Sequence, residues 1–256
     1  MKVEDARKVG WKEMQDKPAG KKLHYLWSYY KWYAIVIILV AVFLVSYFGI
    51  NAEKQEILIS GVFVNAVSNS AEGDANVLAE ELAKDFVSRE GYDLEAYSVE
   101  LDCSLRYEPG ADMSMINVTT IQQIMAYTSG GMLNFVSGDM ESLKELAYMQ
   151  IFHDLRDVLP ENRLEELSQY ILYIDMEVVR KRTEMFDQNL DTSDIVLPDC
   201  RKPEDMVEPV PVLMYINQAD KLDEIYPMHA RELIFGFTGH EKKWEITVSF
   251  FDYLMD

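Results

Sequence analysis

Cysteine and histidine are scarce in this chain of 256 residues. Only two cysteines occur, Cys103 and Cys200, so at most one disulfide can form. The four histidines, His24, His153, His229 and His240, are scattered without ligand spacing, and no zinc site is read from them. There is no Gly-x-Ser-x-Gly elbow, no His-Glu-x-x-His and no glycine-rich phosphate loop, and no arrangement singles out two of the many carboxylates for acid–base work. These absences argue against an enzyme, and no cofactor is expected.

Positive charge is also sparse once the N-terminal stretch is set aside. The chain has 24 basic and 44 acidic residues, and residues 1–31 hold 8 of the former and 4 of the latter. The rest therefore carries 16 basic against 40 acidic residues, a net charge of −24, which excludes nucleic-acid binding by phosphate neutralisation. Such acidity serves solubility. It also suits a cationic partner, such as a basic peptide or a positively charged loop of another membrane protein.

What the sequence does have is one apolar run without charge, Trp32 to Ile50 (WYAIVIILVAVFLVSYFGI). As a helix, nineteen residues at about 1.5 Å each span about 28 Å, close to the ~30 Å hydrocarbon layer of a bilayer. The run predicts a single membrane span in contact with lipid. Lys2, Arg7, Lys8, Lys12, Lys17, Lys21, Lys22 and Lys31 precede it, and only Lys54 lies near its far end, which places the N-terminus in the cytoplasm and the rest outside. Trp27, Tyr29, Tyr30, Trp32 and Tyr33 on one side, and Tyr47 and Phe48 on the other, read as interface anchors. A cleaved secretory signal fits less well, since the apolar core is too long and no Ala-x-Ala follows. The expected organisation is a cytoplasmic basic and aromatic tail over 1–31, a span over 32–50, a linker over 51–55 and one extracytoplasmic domain over 56–256.

Within that domain the patterns alternate. Glu56 to Val64 reads as a strand, Glu72 to Glu90 as a helix closed by Gly91, and Tyr97 to Leu105 as a second strand. A helix over Met113 to Ser129 follows, then a short strand over Met132 to Val136 and a helix opened by Ser137, Gly138 and Asp139. This order predicts an α/β sheet with ligands at the carboxyl ends of its strands. Beyond it come a polar helix from Glu161, an apolar stretch Tyr170 to Ile174, a charged segment Met176 to Asp187 and an irregular segment Asp191 to Pro211. A strand over Val210 to Ile216, a strand over Glu232 to Phe237 and a helix from about Glu241 to Met255 close the chain. Cys103 alternates with Leu101 and Leu105, which suits a buried thiol as well as a bridge to Cys200. Such a bridge would close a loop worth up to about 4.7 kcal/mol.

The lead-in WSYYKWYAIV, the strand YSVELDCSL, the block LNFVSGDMESLKELAYMQIFHDLRDVLP and the closing LIFGFTGHEKKWEITVSFFDYL together resemble single-pass membrane proteins of Gram-positive bacteria with a type II periplasmic solute-binding-like outer domain. The resemblance implies that the third block returns a strand to the hinge and starts a helix at the ligand. It also implies that the closing segment supplies the return strand and final helix. Two departures stand out: only about fifty-five residues, about 156–210, are left for a second lobe, and a transmembrane anchor replaces the usual lipidated cysteine.

Candidate ligand-binding residues follow from strand ends: Asn65 and Ser68 after the first strand, Ser137, Gly138 and Asp139 after the third, and Tyr215 and Asn217 on the later one. Each also has an ordinary role, Ser137 and Asp139 as helix N-caps and Asn65 and Ser68 as turn residues. Asn117-Val118-Thr119 matches a glycosylation acceptor by chance, and Arg180, Lys181 and Arg182 read as a solvated helix face. The expected function is a non-catalytic binding or accessory protein taking a small solute or peptide. The alternative is a structural or regulatory subunit of a membrane complex with a vestigial pocket.

Overall fold

The computed structural model describes residues 32, 35–43, 55–67, 74–111, 114–188, 190, 192, 195–216, 220–226 and 232–256. The chain divides into two compact units, Met1–Lys54 and Gln55–Asp256, and each is described by itself.

In the first unit residues 35–43 are helical. Nine residues cover about 13 Å, less than half of a bilayer's ~30 Å. Among the described residues no helix is long and apolar enough to cross a membrane. The structure thus corrects the span expected over Trp32–Ile50, and with it the single-pass cell-membrane placement, the assigned sidedness and the lipid contact. The basic tail, Tyr33, Ala34, residues 44–50 and most of the linker lie outside the described residues.

The second unit is a mixed α/β domain around one six-stranded sheet. Its strands are β1 (Glu56–Phe63), β2 (Tyr97–Asp102), β3 (Phe135–Asp139), β4 (Ile171–Asp175), β5 (Pro209–Ile216) and β6 (Leu233–Phe237), in the order β2-β1-β3-β6-β5-β4. β1 pairs parallel with both β2 and β3, whereas β6 runs antiparallel to β3 and to β5, and β4 antiparallel to β5. Residues 156–210 supply β4 at the edge of this same sheet, so they form no second lobe with a sheet of its own.

Helix α1 (Ala75–Arg89) links β1 to β2, and α2 (Met115–Ser129) links β2 to β3. α3 (Met140–Ala147), α4 (Leu155–Val158), α5 (Glu161–Glu166) and α6 (Met176–Asp187) follow, and α7 (Trp244–Met255) ends the chain. Five of these starts are written in side chains: Asp74, Ser114, Asp139, Asp154 and Asp175 each accept a hydrogen bond from a backbone N–H two or three residues on.

Both faces of the sheet are buried, and the strands divide their side chains with period two. Ile59, Phe63, Phe135, Phe235 and Phe237 join Phe86 of α1 and Phe250 of α7 in one cluster. Val62, Val136 and Ile234 face the other way, onto Ile124 of α2, Leu143 and Leu146 of α3 and Val179 of α6. The first cluster is an aromatic stack: Phe135 lies 4.6 Å from Phe235 and 5.2 Å from Phe250, which meets Phe86 edge-on at 5.0 Å. Burying each ring contributes about 2–3 kcal/mol. Phe135 reaches across β1 only because its neighbour there is Gly61, where a Cβ would sit 2.0 Å from the ring.

The far edge depends on one buried carboxylate. Asp175, 3% exposed, caps α6 through the Glu177 N–H and accepts from the Val207 and Glu208 N–H groups at 2.9 and 3.0 Å, binding the irregular segment before β5 to β4. Burial pushes its pKa up, but these three N–H donors and the Arg180 charge outweigh burial and hold it below the usual carboxylate range. Its stabilisation is therefore present above the unfolded-state pKa and is lost as pH falls through the lower folded value. Asp175→Asn should lower stability at pH 7 by about 2–3 kcal/mol in chemical denaturation. The gap from the unsubstituted chain should narrow below about pH 4.

Candidate functional site

The carboxyl ends of β1, β2 and β3 meet at a single side chain, Asn65. Just beyond β1 the chain keeps hydrogen bonding to both neighbours, Val64 N–H to Ser137 O and Asn65 N–H to Leu105 O. Asn65 then turns with φ 61°, a left-handed conformation in which asparagine is enriched among non-glycine residues. Its Oδ1 accepts from Tyr107 N–H at 2.8 Å, and its Nδ2 donates to Tyr107 O at 2.8 Å, Asp139 Oδ2 at 2.9 Å and Ser142 Oγ at 3.0 Å. Two hydrogens serve three acceptors, so one is shared. Asp139 closes the ring, accepting from Ser142 N–H and Ser142 Oγ at 2.9 Å each as the N-cap of α3.

Above this brace lies a cleft of about 690 Å³, lined by Asn65, Val67, Arg106, Pro109, Asp139, Met140, Glu141, Tyr226 and Glu232. Tyr226 forms part of its wall, with its hydroxyl donating to Val64 O at 2.8 Å; burial pushes its pKa well above the ordinary phenol value. Arg106 follows β2 and donates through Nη1 to Cys103 O and Leu105 O, which fixes the root of its guanidinium. Three carboxylates, Asp139, Glu141 and Glu232, stand against this one guanidinium, and Glu232 also pairs with Arg201 at 2.7 Å. The surplus of negative charge favours a cationic group in the cleft.

Of the seven residues expected at the site, the structure brings Asn65 and Asp139 into the cleft. Ser137 is fully buried within β3 and donates to Ile234 O at 2.9 Å, so it holds β6 and is not among the described residues that line the cleft. Gly138 is a point of close approach, where a Cβ would meet Leu143 Cδ1 at 2.7 Å and Val64 O at 3.0 Å. Tyr215 is not among the described lining residues and has Arg201 over its ring at 5.9 Å. Ser68 and Asn217 lie outside the described residues. Arg106, Glu141, Tyr226 and Glu232 were not expected; the rule that ligands sit at strand ends points to Arg106 when applied to β2, and no local pattern marks Tyr226.

Three other motifs resolve into structural roles. Asn117 is fully buried and accepts from Glu108 N–H while donating to Glu108 O and Ala111 O, so it is no glycosylation acceptor. Arg180 pairs with Glu177 and Glu208 on the solvated face of α6. Cys103 and Cys200 are free thiols in separate clusters, which leaves the disulfide unformed. Burial pushes the Cys103 pKa up to about 12, with Asp102 adding to the effect, and burial raises Cys200 as well. Among the described residues no three His, Cys, Asp or Glu side chains are grouped to hold a metal ion.

The chain matches no family model, no curated protein and no solved structure.

Asn65→Ala should destabilise the chain by about 2–4 kcal/mol, because the Tyr107 N–H loses the Asn65 acceptor, the Asp139 carboxylate loses one of its three donors and alanine is strained at φ 61°. Asn65→Gly, which loses the same bonds without the strain, should be less affected by about 1 kcal/mol in the same denaturant titration. Ellman's reagent should label neither thiol in the native chain and two per chain after unfolding without reductant; none after unfolding would indicate a bridge.

Proposed function

We propose that this domain is a non-catalytic binding module that takes a small ligand or short peptide carrying a protonated amine in the cleft at the ends of β1, β2 and β3. One observation carries the reading: a sizeable cleft at the strand ends has an electronegative wall of Asp139, Glu141 and Glu232, with Arg106 available to orient a carboxylate of the same ligand. The position agrees with the general siting of ligands in α/β sheets. The resemblance of the closing segment implies a return strand and a final helix, and the chain ends in β6 and α7. The edge placement of β4 leaves closure between two lobes out of the mechanism, so binding is to a preformed cleft.

A second reading has a specific observation in its favour. Asn65 and Asp139 are engaged with Tyr107 and Ser142, as a purely structural brace requires, and this fits a structural or regulatory subunit with a vestigial pocket.

The two are separated by thermal shift of the full-length chain against amino acids, short peptides, polyamines, sugars and metal ions. An amine-bearing ligand at about a hundred times its Kd adds about 2.7 kcal/mol, or about 5–10 °C in Tm for a chain of this size. The shift should vanish in Glu141→Gln. If no compound raises Tm, or if Glu141→Gln leaves the shift intact, ligand binding in this cleft is wrong and the structural reading stands.

A further inference from the structure

A second concave surface is bounded by β1, β2 and the end of α2, and it shares no lining residue with the cleft. From Met113 to Gly138 the sequence has no charged side chain, although 27% of the chain is charged. Most of that stretch is α2, and its pattern is inverted: it buries Asn117, Thr120 and Ile124 while exposing Met115 at 85%, Met125 at 50% and Tyr127 at 36%. Met132, just past the helix, is 58% exposed.

The inversion has a local cause. Asn117 and Thr120 bind the backbone of the loop after β2, Thr120 Oγ1 donating to Arg106 O at 2.6 Å, so polar side chains rather than apolar ones hold the helix down. The apolar side chains are left facing outward. They are not needed for the core, which Ile124 joins from this helix with the half-buried Ile121 packed against it.

Between this helix and the edge of the sheet runs a groove of about 540 Å³. One wall is apolar, made by Tyr127, Met132 and Leu133, and the other is acidic, made by Glu100 and Asp102. These two carboxylates occupy alternate positions of β2 and so point to the same face, opposite the one on which Val99 and Cys103 are buried. β2 is the terminal strand of the sheet. Lys243 closes one end of the groove, its Nζ donating to Ile57 O at 3.0 Å.

We propose that this groove is a docking site for a cationic amphipathic segment of a partner protein, with its apolar side chains against Tyr127 and Met132 and its lysines or arginines against Glu100 and Asp102. Methionine and tyrosine suit such a surface. The thioether chain adapts to differing apolar anchors, and the tyrosine ring offers large contact area at little entropic cost. Charge complementarity selects the partner, since an acidic segment would bring like charges onto the β2 wall of a domain that already carries 15 basic against 39 acidic residues over 56–256.

The test uses the full-length chain and a fluorescein-labelled 14-residue peptide of leucine and lysine in helical amphipathic order, followed by anisotropy. Glu100→Gln with Asp102→Asn, and separately Tyr127→Ser with Met132→Ser, should each weaken binding at least tenfold. Removing two exposed charges elsewhere, Glu165→Gln with Glu184→Gln on α5 and α6, should change it less than twofold. All these positions are exposed or half-buried, and circular dichroism confirms that each variant is folded. If the control pair weakens binding as much as the groove pair, the peptide is held by net charge alone and the proposal is overturned. It is equally overturned if sedimentation shows a dimer that Tyr127→Ser with Met132→Ser turns into monomer, because the face is then covered by a second copy.

Discussion

Asn65 is the point on which the functional end of the domain depends. A parallel sheet delivers the ends of β1, β2 and β3 to one side but gives them no reason to stay in register once the ladder stops. Here a single carboxamide, turned into place by a left-handed backbone, bonds the loop after β2 and the first turn of α3 at once. Side-chain amides are suited to this because they donate and accept in fixed directions, and a partly buried network of this kind is specific because leaving any member unpaired is costly. The cleft above it is therefore shaped by the brace, while its charge comes from Arg106, Glu141 and Glu232 on the surrounding segments.

The two faces of the sheet divide the remaining work. The aromatic stack of Phe135, Phe235 and Phe250 supplies rigidity beneath the brace, and it forms only because Gly61 yields space on β1. On the opposite face the strand residues are aliphatic, Tyr107, Tyr148 and Phe152 join them from the surrounding segments, and Ser60, Glu100 and Asp102 border open space beside α2. The same topology thus yields a polar cleft at the strand ends and an amphipathic groove along the edge strand. Asp175 plays the corresponding part at the other edge, where β4 has only β5 to hold it.

Much of this was legible in the sequence. The alternation of Glu56–Val64 and Tyr97–Leu105 and the helical spacing of Val77, Leu82 and Phe86 give β1, β2 and α1 nearly to their ends. β3 was displaced: Ser137, Gly138 and Asp139 read as the opening of a helix, which Asp139 does cap, yet Ser137 bonds across to β6 and Gly138 admits the close approach of Val64, so the strand runs through them. β4 went unassigned, and α6 was read only as a helix face at Arg180 to Arg182 without bounds, because an edge strand of five residues and a helix burying only Val179 carry little periodic signal. Strand direction was legible for β1, β2 and β3, where strands alternating with helices imply parallel pairing, but not for β6 and β4, whose antiparallel sense appears only in the pairing. The apolar run over 32–50 met every compositional criterion for a span, but among the described residues, of which Trp32 and 35–43 are helical there, no helix is long and apolar enough to cross a membrane. In the site, Asn65 and Asp139 were found from strand ends, whereas Tyr226 and Glu232 arrive from residues far along the chain that no local pattern connects to it.

Hydrogen exchange followed by mass spectrometry on the full-length chain and on Asn65→Ala puts the brace to the test. If Asn65 holds the strand ends, peptides covering 105–110 and 139–143 exchange much faster in the variant while those covering β1, β3 and β6 keep their protection. Unchanged exchange at 105–110 and 139–143 would show that the cleft is held by something other than Asn65.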